Sequence, residues 1–223
     1  MTSSQSISHA LIMAAGRGNR MRPLTDSIPK AMAPYRGDTL IGKSLKMVHS
    51  CVEHVHVTVG YKRAMLSQYL MEIGVDSILN TEGYENSWWI HNTLLRHVDE
   101  PVLVLTCDNI TNLDIDFLAA EYQRIGALAC MLVPIKPIPM IEGDYIDHKN
   151  GVVTRVQRED PTDLYCSGIQ VLNPAKVASL TTCEGNFYSV WNQLITQKQL
   201  GASRIYPQPW FSVDTLEQLL DCS

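Results

Sequence analysis

The sequence has few of the features that mark membrane-bound, secreted or nucleic-acid-binding proteins. No apolar run approaches the roughly 20 residues that span a bilayer, and no basic segment precedes an apolar stretch at the start, so neither a membrane anchor nor a secretory signal is expected. The six cysteines stand singly without a Cys-x-x-Cys pair, which argues against zinc and favours the reducing cytoplasm. The net charge of −5 argues against a nucleic-acid polymer as partner.

The composition is that of a globular chain. With 223 residues, 45% of them hydrophobic and 18% charged, the chain can bury a core and is not expected to be disordered. The first half alternates apolar strand patterns with helical ones, which predicts βαβ units on a parallel sheet. The strongest strand pattern covers 101–107 and the helical patterns include 39–51, 62–73, 87–97 and 115–125.

The pattern changes after the prolines between 134 and 139, where short antiparallel strands are predicted at 144–147, 151–156 and 165–172. We expect a flexible tail over 1–8 and a single domain over 9–223. Within that domain, the change of pattern separates about 9–133 from about 134–223. Ligands in such sheets bind beyond the carboxyl ends of the strands, where a glycine turn and Asp108 both fall.

The glycine turn follows the first predicted strand, and the residues from Leu11 to Lys30 are the most informative stretch of the sequence. Small residues there let backbone N–H groups approach phosphate oxygens and a flat base, and two cations can supply charge to phosphates. The stretch is neither a Walker A loop nor the dinucleotide fingerprint. These positions are Ala14, Ala15, Gly16 and Gly18 for the turn, with Arg20 and Lys30 as the cations.

The string Gly-x-Gly-x-Arg-Met-x-Pro-Leu-Thr followed by Pro-Lys-Ala resembles the signature of the sugar-phosphate and choline-phosphate nucleotidyltransferases. The resemblance implies a three-layer α/β Rossmann-like nucleotidyltransferase fold, with a mixed, mostly parallel central sheet and a small antiparallel acceptor-binding lobe. It implies that about 9–133 bind the nucleotide, through the small residues of the turn and Asn80, and that about 134–223 bind the acceptor. Arg20 would hold the β- and γ-phosphates, and Lys30 would bridge the α-phosphate and the acceptor phosphate.

The same resemblance implies two aspartates that bind Mg²⁺. Asp108 follows the strongest strand, where one carboxylate can bridge a hard cation to the α-phosphate, although it could instead start a turn. Asp214 occupies the position of the second metal-binding aspartate when the sequence before the last helix is matched to the choline-phosphate pattern. When it is matched to the pattern of the sugar-type enzymes, that position falls on Ser212. Asp214 could instead cap the last helix. For the Asp-x-Asp at 114–116, we expect Asp116 to cap the following helix.

The acceptor and the donor are predicted from the positions at which this sequence differs from the sugar-type members of the family. The stretch from Asn80 to Leu95 lacks the glycines of sugar-type enzymes, which favours the choline-phosphate and phosphonate relatives and therefore CTP as donor. A cationic headgroup could contact aromatic faces, although aromatic residues at helical spacing are more often core. Asn192 stands where choline-type relatives tend to carry an acid, so an uncharged headgroup stays open. The aromatic candidates are Trp88, Trp89, Tyr188 and Trp191.

The function expected is transfer of a nucleoside monophosphate, CMP from CTP, to a small phosphorylated acceptor with release of pyrophosphate. An acceptor phosphate is already ionised near pH 7, so no His/Asp base is required. Alternatives are a sugar-1-phosphate nucleotidylyltransferase that uses UTP or another triphosphate, a glycosyltransferase with a shared fold, and an inactive nucleotide-binding regulatory paralogue.

Overall fold

The computed structural model describes residues 6–138, 143–183 and 185–221. The chain forms two compact units. Unit 1 comprises Met1–Ile7, Glu85–Val104 and Asp114–Gln208, and unit 2 comprises Ser8–Tyr84, Leu105–Leu113 and Pro209–Ser223. Residues distant in the sequence, from three separate segments, therefore build unit 2.

The strands are β1 His9–Met13, β2 Pro34–Tyr35, β3 Asp38–Thr39, β4 His54–Val59, β5 Ser77–Asn80, β6 Val102–Thr106, β7 Asn109–Thr111, β8 Cys130–Ile135, β9 Tyr145–Lys149, β10 Val152–Gln157, β11 Tyr165–Leu172, β12 Leu200–Ala202 and β13 Trp210–Ser212. The helices are α1 Leu24–Ser27, α2 Leu40–His49, α3 Arg63–Ile73, α4 Trp89–Asn92, α5 Ile115–Arg124, α6 Pro174–Leu180, α7 Phe187–Thr196 and α8 Leu216–Asp221. Short 3₁₀ turns lie at Asn19–Met21, Lys30–Met32 and Leu94–His97.

Nine strands form one sheet in the order β5-β4-β1-β6-β11-β8-β12-β10-β9. In unit 2, β1 and β4 pair in parallel, as do β4 and β5, with Ile12 opposite Val57 and Val57 opposite Ile78. Consecutive residues in the middle of β1 and from Val55 to Val59 of β4 are buried, as expected for strands covered on both faces. The predicted βαβ arrangement of the first half is confirmed there.

The strands of unit 1 are mostly antiparallel. β11 pairs with β8 and β9 in that sense, and β10 pairs with β9 and β12 likewise, whereas β12 runs parallel to β8. Asn150 and Gly151, in the turn between β9 and β10, both have positive φ, at 53° and 82°. An Asn-Gly pair suits a tight hairpin because both residues tolerate this backbone region. The predicted antiparallel strands beyond residue 143 are confirmed.

Two local predictions are wrong. The helix predicted over 87–97 is two short pieces, because Thr93 between them is extended and its hydroxyl donates to the carbonyl of Trp89 at 2.8 Å and accepts from the N–H of Leu95 at 3.3 Å. The cap of α5 is Asp114, which accepts from the N–H of Phe117 at 3.0 Å, while Asp116 lies inside the first turn. The first aspartate of the pair therefore caps the helix, two residues earlier than expected.

The expected division into a tail over 1–8 and a single domain over 9–223, split near 133, stays a prediction. The described part of that tail includes Ile7, which is buried, and Ser8, whose carbonyl accepts from the N–H groups of Glu53 and His54 at 2.9 Å. Residues 1–5 of the tail lie outside the described residues. Across the described ranges, no helix has the length and apolar character that crossing a bilayer requires.

Candidate active site

The glycine turn begins where β1 ends against β4. The N–H of Ala14 donates to the carbonyl of Thr58 at 3.2 Å and to its hydroxyl at 3.1 Å. The carbonyl of Ala15 accepts from the N–H of Tyr61 at 3.1 Å. A Cβ placed on Gly60 would lie 2.7 Å from that carbonyl oxygen, so the two strand ends touch backbone to backbone. The turn is therefore fixed at the carboxyl end of the parallel strands, where the sequence predicted a ligand site.

The two glycines of the turn have different environments. Gly18 has a left-handed φ of 64°, and a Cβ there would lie 2.7 Å from the Cβ of Lys30, so only glycine allows the lysine stem to pack against the turn. The carbonyl of Gly18 also accepts from the hydroxyl of Thr25 at 3.0 Å. A Cβ on Gly16 would meet nothing within 4 Å, so the backbone there borders open space. The turn thus combines a tightly packed side with an accessible one.

An apolar cluster holds the neighbouring charged residues in place. Arg20 precedes the fully buried Met21, and Asp214 follows the fully buried Val213. Both apolar side chains belong to one core cluster in unit 2, so the polar neighbour of each is fixed at the edge of that core. The other buried members of the cluster are Ala33, Tyr35, Leu40 and Leu219.

Four charged residues predicted from the sequence meet at this edge. The ammonium of Lys30 donates to Oδ2 of Asp108 at 2.5 Å and to Oδ1 of Asp214 at 2.9 Å. Arg20 contacts the same Oδ1 of Asp214 at 2.8 Å. The side chains of Lys30, Asp108 and Asp214 are only 11%, 16% and 19% exposed, whereas Arg20 is 61% exposed. We call these four residues the charged cluster.

The pairing of β7 with β13 brings the two aspartates together. Ile110 lies opposite Phe211, and Asn109 lies opposite Ser212 in antiparallel register. Asp108 immediately precedes β7 and Asp214 is the second residue after β13, so antiparallel pairing puts both at the same end of the ribbon. The N–H of Val213 also donates to the carbonyl of Asp108 at 3.1 Å. Neither three-residue strand was predicted from the sequence.

Neighbouring residues take the structural roles that the sequence left open for the two aspartates, which were to start a turn at Asp108 and to cap the last helix at Asp214. Asn109 accepts from the N–H of Thr106 at 3.3 Å and so closes the turn that contains Asp108. Thr215 accepts from the N–H of Gln218 at 3.2 Å at the start of α8. Because these side chains make the turn and cap hydrogen bonds, the carboxylates of Asp108 and Asp214 are directed to Lys30 instead.

Attraction between opposite charges in the cluster keeps Lys30 protonated and Asp214 ionised. Burial alone would lower the pKa of Lys30, but the carboxylates of Asp108 and Asp214 outweigh it and the pKa lies above the ordinary value of 10.5. Burial alone would raise the pKa of Asp214, but Lys30 and Arg20 outweigh it and the pKa lies below the ordinary value of 3.8. At neutral pH the lysine is therefore cationic and Asp214 anionic.

Two neighbours of the cluster escaped prediction. The hydroxyl of Ser212 donates to Oδ2 of Asp214 at 3.1 Å. The sequence did point to this position, because the pattern of the sugar-type enzymes places the metal-binding residue at Ser212. Cys107 is buried beside the cluster, and burial together with Asp108 raises the pKa of its thiol to about 12. The thiol therefore stays neutral and acts as an apolar wall of the site.

The donor set suits a small hard cation. The oxygens of Asp108 and Asp214 converge on one ammonium, so one cation can reach both. Oxygen ligands of this kind are those that Mg²⁺ takes, with waters and substrate phosphates completing its shell. Within the described ranges, no group of three or more His, Cys, Asp or Glu side chains could hold a metal, so protein ligands alone do not form a closed cage.

Asn80 and the aromatic candidates lie outside the charged cluster. Asn80 ends β5, is exposed, and accepts from the N–H of Glu82 at 3.1 Å. In unit 1, Tyr188 donates to Asp144, and its ring centroid lies 5.5 Å from that of Trp191. Their binding roles, and that of the half-buried Trp88, stay predictions. Trp89 has no exposed surface, so it is a core residue in this structure and presents no face to an acceptor.

Comparisons with known proteins identify a family and several relatives of this chain. Residues 10–140, more than half of the chain, match the family model of the MobA-like NTP transferase domain. The UTP–glucose-1-phosphate uridylyltransferase AglF of Haloferax volcanii is 28% identical over 177 residues, which cover 74% of this chain and 72% of that protein. The CTP:phosphoglutamine cytidylyltransferase of Campylobacter jejuni is 29% identical over 84 residues, which cover 37% of this chain and 33% of that protein.

Other curated relatives are longer than the region they share. The bifunctional protein GlmU of Methanocaldococcus jannaschii is 29% identical over 114 residues, which cover 51% of this chain and 28% of that protein. The chain therefore spans less than a third of that relative.

Solved structures show the fold. A glucose-1-phosphate thymidylyltransferase structure from Bacillus anthracis, described as putative, has a TM-score of 0.80 at 16% identity and covers 96% of this chain and 93% of its own. The CTP:phosphocholine cytidylyltransferase of Streptococcus pneumoniae has a TM-score of 0.74 at 16% identity and covers 96% and 97%. The predicted fold class, an α/β Rossmann-like nucleotidyltransferase fold with a mixed central sheet, is confirmed.

Proposed function

Because this chain belongs to the MobA-like NTP transferase domain family, we propose that it transfers CMP from CTP to a small phosphorylated acceptor of the choline-phosphate or phosphonate type. The resemblance that residues 11–30 carry is confirmed by that membership. The coarser statement, that the chain is a nucleotidyltransferase acting on a phosphorylated sugar or other small molecule, follows from the family and its relatives. The donor base, the acceptor, the metal and the residue roles are our proposals.

The observation that carries the proposal is the charged cluster beside the glycine turn. In the reaction, an acceptor phosphate oxygen attacks the α-phosphorus of the triphosphate, a new P–O bond forms, and the bond from the α-phosphorus to the bridging oxygen breaks, so pyrophosphate leaves. The acceptor oxygen is already ionised near neutral pH because the second pKa of a phosphate ester is about 6. The site therefore has to position phosphates and stabilise charge, and it needs no general base.

Lys30 and Arg20 supply the positive charge. Lys30 is the more buried of the two, and its raised pKa keeps it protonated, so its ammonium suits the α-phosphate and the acceptor phosphate. Arg20 is more exposed and already contacts Asp214, so its guanidinium can reach outward to the β- and γ-phosphates. Charge held in a partly dry site stabilises the transition state more than the same charge in water.

Asp108 and Asp214 would hold Mg²⁺, with the hydroxyl of Ser212 orienting Asp214. When bound, the ion neutralises phosphate charge and polarises the α-phosphoryl group. Asp214 remains ionised well below neutral pH, as a metal ligand must. Ala14, Ala15, Gly16 and Gly18 would border the nucleotide, since their small side chains let the phosphates and the base approach the backbone of the turn.

The preference for CTP and for a choline-phosphate or phosphonate acceptor comes from the sequence pattern and one relative. The stretch from Asn80 to Leu95 lacks the glycines of sugar-type enzymes, and Val213-Asp214-Thr215 follows the choline-phosphate pattern. The Campylobacter jejuni relative is a cytidylyltransferase by name. Trp88, Tyr188 and Trp191 would face the acceptor headgroup.

A second candidate is a sugar-1-phosphate uridylyltransferase. The observation that favours it is AglF of Haloferax volcanii, which matches across 74% of this chain and is named for UTP and glucose-1-phosphate. The two candidates share the chemistry of the charged cluster and differ only in the base and the acceptor.

The free cysteines also support a proposed location. The cysteines within the described ranges, at 51, 107, 130, 166 and 183, are all free thiols. Because free thiols persist in a reducing compartment, we propose that the protein works in the cytoplasm.

A pyrophosphate-release screen tests the function. Four nucleoside triphosphates are crossed with choline phosphate, aminoethylphosphonate and sugar-1-phosphates, with Mg²⁺ and with a chelator. We expect release with CTP and choline phosphate or aminoethylphosphonate, and none with the chelator. Fastest release with UTP and a sugar-1-phosphate would favour the second candidate. Absence of release with every pair, while nucleotide still binds, would contradict the enzyme assignment.

A further inference from the structure

Unit 2 contains a cavity that the charged cluster does not line. Its volume is about 280 Å³, and its walls are the turn between β2 and β3, the middle of α2, and β7 with the residue that follows it. Among the residues that line it, Arg36 and Lys43 carry positive charge, and none is an aspartate or glutamate. On a chain with a net charge of −5, two cations around one cavity favour an anionic ligand.

We propose that this cavity binds the phosphate group of a small phosphate monoester at a site distinct from the charged cluster. A phosphate monoester carries a charge of about −1.5 to −2 near pH 7, which matches one arginine and one lysine. Arginine presents a planar fork to phosphate oxygens, and lysine acts as a compact point charge. The cavity would bind this ligand whether or not the protein transfers nucleotides.

An aromatic contact places one of the two cations at the cavity wall, and a helix position places the other. The guanidinium of Arg36 lies over the ring of Tyr35, 5.3 Å from its centroid, so a flat aromatic face supports it at the cavity wall. Lys43 lies half-buried on α2, and its ammonium makes no hydrogen bond or salt bridge within the described part of the chain. Its charge does act on Asp38, whose pKa is lowered chiefly by hydrogen bonds from Lys46 and Thr39.

Asp38, the acid on which Lys43 acts, is engaged elsewhere. Asp38 accepts from the ammonium of Lys46 at 2.7 Å and from the N–H of Thr39 at 2.7 Å. Because those contacts use both of its oxygens, Lys43 can turn its charge toward the cavity. An incoming phosphate then meets two cations without displacing an internal ion pair of Lys43.

The polar and apolar parts of the lining define the ligand further. Ser44 is buried, and its hydroxyl donates to the carbonyl of Leu40 at 3.3 Å, so its oxygen can still accept from a ligand hydroxyl. Met47 and Ile110 add apolar surface. The volume lies just below the range of about 300–1,000 Å³ typical of drug-sized ligand sites. The ligand class is therefore a phosphate carried on a short hydroxylated carbon chain, smaller than a nucleoside triphosphate.

Titration of the full-length, ¹⁵N-labelled protein with glycerol 3-phosphate tests the site. Backbone amide signals of residues 43–47 and 110–112 report on the cavity, and those of Gly16 and Gly18 report separately on the glycine turn. We expect saturable shifts at the cavity, which uncharged glycerol does not produce. In Lys43→Gln the dissociation constant at the cavity should rise about tenfold or more, because a contact to a charged group is lost.

Lys149→Gln is the control, since Lys149 is an exposed lysine on β9 in unit 1, is not part of the cavity lining and does not contact Asp38. It should leave the cavity dissociation constant unchanged, and the ¹⁵N spectrum shows whether each variant is folded. If Lys43→Gln does not fold, Arg36→Gln takes its place. Shifts confined to the glycine turn, or an unchanged dissociation constant in the folded cavity variant, would overturn the proposal.

Discussion

At the residue scale, Lys30 is where the candidate site is most sensitive to change. Its ammonium contacts two carboxylates that lie 78 and 184 residues away in the sequence, at 2.5 and 2.9 Å. Its stem packs against Gly18, where no other residue type fits without a clash. One side chain thus links the glycine turn to both aspartates, and its removal should affect chemistry far more than folding.

Substitution Lys30→Ala should lower kcat by about 100-fold or more, the loss typical of removing one preorganised charge-stabilising group. Arg20 still pairs with Asp214, so the variant should remain folded. The measurement is steady-state pyrophosphate release together with circular dichroism. Lys46→Ala, which removes an exposed lysine with one carboxylate partner, is the control and should keep the normal rate. A near-normal kcat for folded Lys30→Ala would contradict the assigned role.

The pH dependence should come from the substrate rather than from the cluster. The pKa of Lys30 is raised above 10.5, so its cationic form is present below that value and is lost only as the pH rises beyond it. The pKa of Asp214 is lowered below 3.8, so its anionic form is lost only as the pH falls below that value. An acceptor phosphate, in contrast, ionises near pH 6.

We therefore expect kcat/KM with a phosphate acceptor to rise through a single ionisation near pH 6 and to stay level to about pH 9. The measurement is the initial rate from pH 5 to 10 in buffers of constant ionic strength. A decline with a midpoint between about pH 7 and pH 9 would show that a cluster group titrates in that range. Such a decline would be incompatible with the pKa directions of Lys30 and Asp214.

At the element scale, the contacts of the site depend on pieces that are too short for a sequence pattern to identify. β1, β4 and most helices could be predicted because apolar periodicity and capping residues repeat over many positions. β7 and β13 have only three residues each, too few to show an alternation of apolar and polar side chains, and they are separated by about 100 positions in the sequence. Their pairing depends on tertiary packing against the core of unit 2, and only the structure reveals it.

A second element-scale feature, at the end of α5, concerns stability. The side chain of Glu121 is 1% exposed and accepts from the guanidinium of Arg124 at 2.8 Å and from the N–H of Arg204 at 2.6 Å. Burial alone would raise the pKa of Glu121, but these arginine contacts outweigh it and lower the pKa from 4.5 to about 2. Its contribution to stability is therefore complete above pH 4.5 and is lost as the pH falls toward 2.

Glu121→Gln should lower the free energy of unfolding at pH 7 by about 1–3 kcal/mol, because a buried charged acceptor is replaced by a neutral one with fewer accepting sites. The difference from the natural chain should shrink at pH 3, because the unfolded chain, with the ordinary pKa of 4.5, is by then largely protonated at Glu121 while the folded chain still holds the carboxylate ionised. Urea unfolding at both pH values measures this. Asp116→Asn, an exposed acid in the same helix, is the control. An equal difference at pH 7 and pH 3 would contradict the linkage.

At the scale of the whole molecule, the identity of the site residues was more predictable than their arrangement. The resemblance to the nucleotidyltransferases singled out Arg20, Lys30, Asp108 and Asp214, and the structure brings these four side chains together. The sequence did not predict which segments build unit 2, since three distant segments form it. It also placed Trp89 among acceptor contacts, because helical spacing cannot distinguish a buried indole from an exposed one.

The central claim is that Asp108 and Asp214, remote in sequence, act together on one cation at the triphosphate. A double-mutant cycle on kcat/KM for Asp108→Asn, Asp214→Asn and the double variant tests it most directly. If both carboxylates hold one ion, either substitution removes its function, and the double variant should be about as slow as the slower single variant. If the two losses multiply in the double variant, the aspartates act independently and the account of a shared metal site is contradicted.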